Sequence, residues 1–215
     1  HEMNDAEIEE IIQSYILYSK LSKECGLDGV ELHGAHGYFL QQSWTNWANL
    51  RTDKWGKPMA FANELINRVR AAVGEDFLID VKIVSDDFHA GGMDNVAMQK
   101  VAQALEATGK IDFLSISQGS QASHYAFITG TMYYPPAVFV PLASGIKQAV
   151  KSIPIVAATR INDPALPPTT DSSPARLFAR APAACRPAER TGRAAGGEPA
   201  RGCWTWPAGR SAETA

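Results

Sequence analysis

The chain has 215 residues, a formal net charge of −3 at pH 7 and 45% hydrophobic residues. These values are ordinary for a soluble globular domain, and they give no reason to expect nucleic acid or an anionic membrane as a partner. The sequence contains no apolar run of 18 residues and begins with the polar stretch 1–4, so it predicts neither a membrane span nor a secretory signal. Its three cysteines lack CxxC spacing, which argues against a zinc site or a disulfide framework and favours a reduced, cytoplasmic setting.

Helices and strands alternate along the first 166 residues. Asn4 and Glu7 have the spacing of a capping box, and the helix that they begin is predicted to end at Gly26. The later elements follow from apolar periodicity and from flanking glycines. They are a strand at 29–33, a long loop to 57, a helix at 58–73 with Pro58 in its first turn, a strand at 77–83, a helix at 94–107, a strand at 111–117, a loop, a helix at 138–150 and a strand at 153–158.

This alternation predicts βαβ units and therefore an α/β fold with a parallel sheet. Four strands are visible, whereas a closed (β/α)8 barrel needs eight strands and about 250 residues. A doubly wound sheet is the alternative on this evidence. It would require a GxGxxG turn after an early strand, which the sequence lacks.

The composition changes abruptly near residue 166. Residues 1–166 hold nine lysines and four arginines, whereas residues 167–215 hold seven arginines and no lysine. Ala, Arg, Pro and Gly dominate the second segment, which has too few apolar residues to offset the entropy of ordering it. We therefore expect one folded domain at 1–166 and a low-complexity tail at 167–215. The tail is either a natural disordered segment or, as we favour, the product of a shifted reading frame in GC-rich DNA.

A cluster of polar rings follows the first predicted strand directly, in the stretch His33-Gly34-Ala35-His36-Gly37-Tyr38. Active sites of parallel barrels lie at the carboxyl ends of the strands. The small spacers allow a tight turn that brings both imidazoles and the phenol together, where imidazoles can donate to a substrate oxygen and a tyrosine can release a proton. Two alternatives are a metal site, which usually needs two His at i and i+4 on a helix, and a purely structural histidine pair.

The same stretch, continued through Gln42 and followed by Asn49-Leu50-Arg51-Thr52-Asp53-Lys54-Trp55-Gly56, resembles the signature of the NADH:flavin oxidoreductase/old yellow enzyme family. The resemblance extends from about residue 5 to 165. It implies an FMN-binding (β/α)8 TIM barrel, of which the chain would carry about strands four to seven. It also implies FMN as the cofactor, NADH or NADPH as the electron donor, and an α,β-unsaturated carbonyl or a methylated amine as the substrate.

The resemblance assigns catalytic roles to three residues. His33 and His36 match the positions that hold the substrate oxygen over the flavin, and Tyr38 matches the proton donor of the ene-reductases. The flavin would carry the redox chemistry, while the protein supplies orientation and electrostatics.

Three further residues are assigned to cofactor binding. Lys82 stands where the family usually has an arginine beside the N1/O2 edge of the isoalloxazine, and a lysine there would act as a point charge. Thr159 and Arg160 stand where the family usually has Gly-Arg, at the place where backbone N–H groups cradle the FMN phosphate. The alternatives are a lysine that reaches solvent and an arginine in an ordinary surface ion pair.

The chain also departs from the family pattern. About four residues are missing between Gly56 and Phe61, and strands one to three and eight are not found. In the loop after the third strand of this chain, His124, Tyr125, Tyr133 and Tyr134 either line a substrate pocket or pack the loop.

These departures leave a second function class open, a catalytically inactive remnant of such an enzyme. We expect the 215-residue chain by itself neither to hold FMN tightly nor to fold as a stable monomer. The reason is that the missing strands would have to cover the inner faces of the strands, to which we assign Val30, Leu32, Ile79, Val81 and Ile116.

Overall fold

A computed structural model of the chain describes residues 1–161. The tail predicted at 167–215 and the boundary predicted near residue 166 lie outside this part. The elements in chain order are α1 Asp5–Glu24, β1 Gly29–Gly34, α2 Phe39–Gln42, a 3₁₀ turn Lys54–Gly56, α3 Ala60–Val73, β2 Leu78–Val84, α4 Asn95–Ala107, β3 Phe113–Ser117, α5 Tyr125–Thr129, α6 Val140–Ala149 and β4 Ile155–Ala157. Within residues 1–161, no helix has the length and apolar character needed to cross a bilayer.

The first helix begins with the predicted capping box. The Asn4 side chain accepts hydrogen bonds from the Ala6 and Glu7 N–H groups at 2.9 and 3.0 Å, and Glu7 Oε2 accepts one from the Asn4 N–H at 2.8 Å. These bonds satisfy N–H groups that have no partner inside the helix. Gly26, with φ 82°, provides the left-handed residue after the helix, as expected.

The four strands form one parallel sheet in the order β1-β2-β3-β4. The described strands therefore follow chain order in one direction, without the reversal that marks the switch point of a doubly wound sheet. The register aligns four residues across the sheet, because His33 pairs with Lys82, Lys82 with Ser115, and Ser115 with Val156.

One face of the sheet is apolar and packs on the helices of the same chain. Leu32, Ile79, Val81 and Ile116 are at most 2% exposed, and Val30 packs against the same core. The helices contribute Ile8, Ile12, Leu65, Ile66, Val69, Met98, Leu105 and Ile146 to this core. Our assignment of the five strand residues to the inner face was therefore wrong, and so was the reason that it gave for expecting the chain not to fold as a stable monomer. Their burial, about 1.5–3 kcal/mol for each fully covered side chain, is provided by α1, α3, α4 and α6.

The opposite face of the sheet is polar. Because strand side chains alternate in direction, the residues between the apolar ones point away from the helix layer. They are Glu31 and His33 on β1, Asp80 and Lys82 on β2, and Ser115 and Ser117 on β3. This polar face, called the inner face below, leads at the carboxyl ends of the strands to the loops that contain the candidate site.

The structure differs from the prediction mainly in short elements. The long loop after β1 contains α2 and the 3₁₀ turn, and the loop after β3 contains α5. Helices of four or five residues are too short for an apolar period to be recognised. Helix α3 begins at Ala60 rather than Pro58, because Met59 adopts a left-handed conformation with φ 62° and serves as the N-cap.

Candidate active site

The turn after β1 brings the three predicted rings together. His36 and Gly37 both adopt left-handed backbone conformations, with φ 62° and 78°. The ring centroid of His33 lies 5.0 Å from that of His36 and 5.2 Å from that of Tyr38. The Tyr38 side chain is accessible, because the residue is 48% exposed. The geometry therefore matches the convergence that the small spacers led us to expect.

Both imidazoles of this cluster are neutral near pH 7. The pKa of His36 is lowered to about 4, chiefly by burial and to a smaller extent by the neighbouring His33 ring and the Lys82 charge. Burial and the nearby Lys82 charge also lower the pKa of His33. His36 Nε2 lies 2.7 Å from Ser117 Oγ at the end of β3. Each neutral ring has one N–H donor and one acceptor nitrogen, so the pair can donate hydrogen bonds without carrying charge.

We expect His36 to titrate near pH 4 in the folded chain. Its folded-state pKa is lower than its ordinary value of 6.5, so the folded state binds this proton less readily than the unfolded state does. The stability that depends on the neutral ring is thus complete above pH 6.5 and is lost as the pH falls towards 4. Imidazole NMR shifts measured against pH test this, with the urea-unfolded chain as the control. A folded-state midpoint near 6.5 would contradict it.

Charged side chains of the inner face lie next to the histidines. Lys82 Nζ donates to Glu31 Oε1 at 2.6 Å, and the Lys82 side chain is 26% exposed. The Lys82 ammonium is thus held on the inner face by an ion pair, and it does not simply reach solvent. Burial tends to raise the pKa of Glu31, but the hydrogen bonds with Lys82 and Asp80 lower it overall.

Asp80, which pairs with Glu31 across β1 and β2, is 3% exposed. Its carboxyl group accepts a hydrogen bond from the Ser115 N–H at 3.0 Å and also contacts Ser115 Oγ. The pKa of Asp80 is raised to about 8, chiefly by burial and also by the neighbouring Glu31 carboxylate, against the lowering effect of the hydrogen bonds from Ser115. The Asp80 carboxyl therefore holds a proton near neutral pH, while Glu31 stays ionised beside Lys82.

The loop after β4 is strained where the phosphate site was predicted. Thr159 and Arg160 have φ values of 79° and 62°, both in the left-handed region. Arg160 donates from Nε to the Tyr134 carbonyl at 2.8 Å and from Nη2 to the Met132 carbonyl at 3.3 Å. Within residues 1–161 its guanidinium contacts these carbonyls and forms no ion pair, so the alternative of a surface ion pair has no support there.

Replacing Thr159 by glycine is expected to stabilise the fold. A β-branched residue rarely adopts positive φ, and such strain costs of the order of 1–3 kcal/mol. Glycine relieves this strain but loses more backbone entropy on folding, which offsets part of the gain. We therefore expect Thr159→Gly to raise the free energy of unfolding by about 1 kcal/mol, measured by urea denaturation. Thr52→Gly, in an exposed loop without positive φ, is the matched control. Equal destabilisation by both changes would contradict the strain.

The aromatic residues of the loop after β3 have different environments. Tyr134 stacks on Phe127 with ring centroids 5.8 Å apart, so it packs the loop. Tyr125 and Tyr133 are 70% and 92% exposed. The His124 Nδ1 atom accepts the Ala126 N–H at 3.2 Å and caps α5. Packing thus accounts for Tyr134 and helix capping for His124, while the two exposed tyrosines stand at the surface.

Two residues of this region were not predicted as part of the site. Gln41 on α2 and Asp87 after β2 are both 0% exposed. Gln41 Nε2 donates to Asp87 Oδ1 at 2.5 Å, and Gln41 Oε1 accepts the Gly37 N–H at 2.7 Å. The two residues are 46 positions apart in the chain, so no local pattern could link them. The one signal available in the sequence was the pair of glutamines, at positions 41 and 42, that follows the ring cluster closely.

Cavities and metal-ligand clusters do not point to another site among residues 1–161. Two cavities of about 230 and 390 Å³ lie against α1, and neither is lined by His33, His36 or Tyr38. No group of three or more His, Cys, Asp or Glu side chains in this part of the chain has the arrangement of a metal site. The ring cluster at the carboxyl ends of the strands remains the candidate active site.

Comparison with known proteins gives a consistent assignment. A model of the NADH:flavin oxidoreductase/NADH oxidase family matches residues 1–180. The chain is 35% identical over 168 residues to the N,N-dimethylglycine/sarcosine dehydrogenase of Chromohalobacter salexigens, an alignment that covers 75% of this chain and 24% of that protein. It is 31% identical over 168 residues to the multifunctional alkene reductase/demethylase OYE of Caballeronia cordobensis, again with 75% and 24% covered.

The chain is also similar to a solved structure of an enzyme. The chain superimposes on a 2-naphthoyl-CoA reductase bound to 2-naphthoyl-CoA with a TM-score of 0.70 and 33% identity, covering 76% of this chain and 25% of that one. The chain thus spans about a quarter of the length of the curated relatives that it matches.

Proposed function

Because the chain belongs to the NADH:flavin oxidoreductase/NADH oxidase family, we propose that residues 1–161 form about strands four to seven of an FMN-binding (β/α)8 barrel. We further propose that the complete enzyme transfers reducing equivalents between NADH or NADPH and a small organic substrate. The observation that supports this most strongly is the convergence of His33, His36 and Tyr38 beside Lys82 at the carboxyl end of a parallel sheet.

The residues of the inner face fit an FMN cofactor. The family name includes a flavin, and this face presents one cation, Lys82, together with uncharged donors of the imidazole type. A lysine is suited to the electron-rich N1/O2 edge of an isoalloxazine, and Thr159 and Arg160 lie in the loop after β4, where the phosphate is expected. When bound, FMN supplies the hydride chemistry.

The protein's own residues prepare the substrate. The neutral rings of His33 and His36 each offer one N–H donor to a substrate oxygen, which draws electron density away from a conjugated carbon. Tyr38 is accessible and lies beside His33, where its hydroxyl can deliver a proton to the adjacent carbon. This division of roles suits the reduction of an α,β-unsaturated carbonyl, because that substrate needs both an oxygen acceptor and a proton.

A second substrate class is a methylated amine. The 35% identity to a dimethylglycine/sarcosine dehydrogenase favours it, whereas the relative from Caballeronia is named for both alkene reduction and demethylation.

Other parts of the proposal are a small-molecule substrate, no nucleic-acid or membrane partner, possible homo-oligomers and a cytoplasmic setting. The free, exposed thiol of Cys25 is compatible with that reduced compartment.

A chimaera tests the proposed function. Residues 1–161 would replace the matching segment of the Caballeronia enzyme, and the purified protein would be tested for bound FMN and for reduction by NADH and NADPH. We expect a yellow protein whose NADH- or NADPH-reduced flavin is rapidly reoxidised by an enone, and whose oxidised flavin is reduced only slowly by N,N-dimethylglycine, both under anaerobic conditions. The parent enzyme is the control. A chimaera that folds by circular dichroism but binds no FMN would contradict the proposal and favour the inactive remnant.

A further inference from the structure

We propose that Gln41 and Asp87 form a positioning pair that fixes the His36–Gly37 turn and thereby aims the rings of His36 and Tyr38. The proposal deepens the proposed function, since it concerns the same site. Its test measures neither flavin binding nor turnover, so the positioning pair and the proposed function can be refuted separately.

The turn needs support from outside its own sequence. His36 is not a glycine, yet its φ is 62°, and Gly37 follows with φ 78°. A left-handed conformation at a residue with a side chain persists when surrounding contacts hold it. Without those contacts, we expect position 36 to return to the common right-handed or extended regions, which would turn its ring away from Ser117.

Gln42 Nε2 donates to the Gly37 carbonyl at 2.6 Å and the Gln121 N–H to the His36 carbonyl at 3.0 Å, while the contact with the N–H side of the turn comes from Gln41. The Gly37 N–H donates to Gln41 Oε1 at 2.7 Å, and Gln41 Nε2 donates to Asp87 Oδ1 at 2.5 Å. A backbone N–H can only donate and a carboxylate can only accept, so the orientation of the Gln41 amide is fixed from both sides. Both residues are fully buried, and water therefore cannot easily replace either bond.

Asp87 is in turn anchored by its own loop after β2 and by Trp47 from the segment after α2. Its Oδ2 accepts the Met93 N–H at 2.8 Å and the Trp47 Nε1–H at 3.3 Å, and its own N–H donates to the Met93 carbonyl at 2.9 Å. The pair thus connects the turn after β1 with the loop that follows the neighbouring strand. A displacement of either loop would be transmitted to the Gly37 peptide.

The first test follows the titration of His36 by NMR. Gln41→Leu removes the acceptor of the Gly37 N–H, so we expect the turn to relax, the imidazole to become hydrated and its midpoint to rise from about 4 towards 6.5. Gln99→Leu is the matched control, because it also deletes one glutamine hydrogen bond, to Asn95 on α4, away from the site. A His36 midpoint that stays near 4 in a folded Gln41→Leu chain would overturn the proposal.

The second test exchanges the hydrogen-bond donor and acceptor between positions 41 and 87. The two oxygens of Asp87 accept three hydrogen bonds, from Gln41 Nε2, the Met93 N–H and the Trp47 Nε1–H, and His89 Nε2 lies 4.0 Å from Oδ2. Asp87→Asn alone must place its NH₂ group against one of these donors, and Gln41→Glu alone places two carboxylates together. Combined, the new carboxylate at position 41 can accept from both the Gly37 N–H and the new amide, so every bond is restored.

We therefore expect each single change to raise the His36 midpoint or to prevent folding, and the double change to return a folded chain with a midpoint near 4. Such a result depends on the pairing and not on general stability. A double variant that fails to fold, or that titrates like the single variants, would overturn the proposal, as would single variants that leave the midpoint unchanged.

Discussion

In the chimaera, Tyr38→Phe is expected to slow enone reduction by about 10²–10⁴-fold, the usual contribution of general acid catalysis. The rate at which NADH or NADPH reduces the bound FMN should change little, because only the proton donor to the substrate is lost. The Tyr38 ring contacts His33 and is 48% exposed, so removing its hydroxyl should not disturb the core. Rapid-mixing measurements of the two half-reactions separate the effects.

Tyr133→Phe provides the control for this change. Tyr133 lies in the loop after β3 and is 92% exposed, so the loss of its hydroxyl should leave both half-reactions unchanged. Enone turnover that is unaffected by Tyr38→Phe would remove Tyr38 from the role of proton donor and would favour the oxidation of a methylated amine.

The second large effect is expected from replacing both imidazoles. In the same chimaera, the double change His33→Ala and His36→Ala removes two donors to a ligand oxygen. At about 0.5–1.5 kcal/mol for each net hydrogen bond, a phenol should bind about 5–150-fold more weakly. The FMN content should be unchanged, because the rings are assigned to the substrate. Absorbance titration with the phenol measures the affinity.

His124→Ala is the matched control for the double change, since that ring caps α5. Release of FMN by the double variant would show that the His33–His36 pair supports the cofactor or the fold instead of the substrate.

Much of the fold follows from local sequence signals. The capping box at Asn4 and the glycine at position 26 fix the limits of α1, and the strands and longer helices lie within about three residues of their predicted bounds. The ring cluster was also predictable, because His33, His36 and Tyr38 are close in sequence and separated by small residues. Their catalytic roles rest on the family resemblance and stay predictions.

A list of apolar residues was not enough to assign the strand residues to the correct face of the sheet. We placed residues such as Val81 on the inner face, whereas the helices cover them. Strands buried in apolar surroundings on both sides read as continuous apolar runs, but β2 alternates strictly through Asp80, Val81, Lys82 and Ile83. That alternation already indicated a polar face, and it would have identified Asp80 as a residue of the inner face.

The remaining site residues depend on contacts that are distant in sequence. Gln41 meets Asp87 only because β1 and β2 are neighbours in the sheet and their following loops come together. Likewise, His36 reaches Ser117 over 81 positions. No local propensity encodes such pairs, since strand order and register must be known first.

The most direct test of the account is a crystal structure of the FMN-loaded chimaera with a phenol bound. We predict that the phenol oxygen lies within about 2.7–3.2 Å of a ring nitrogen of His33 or His36, with Lys82 beside the cofactor on the inner face. A structure in which the phenol and FMN both bind away from these three side chains would contradict the assignment of the active site.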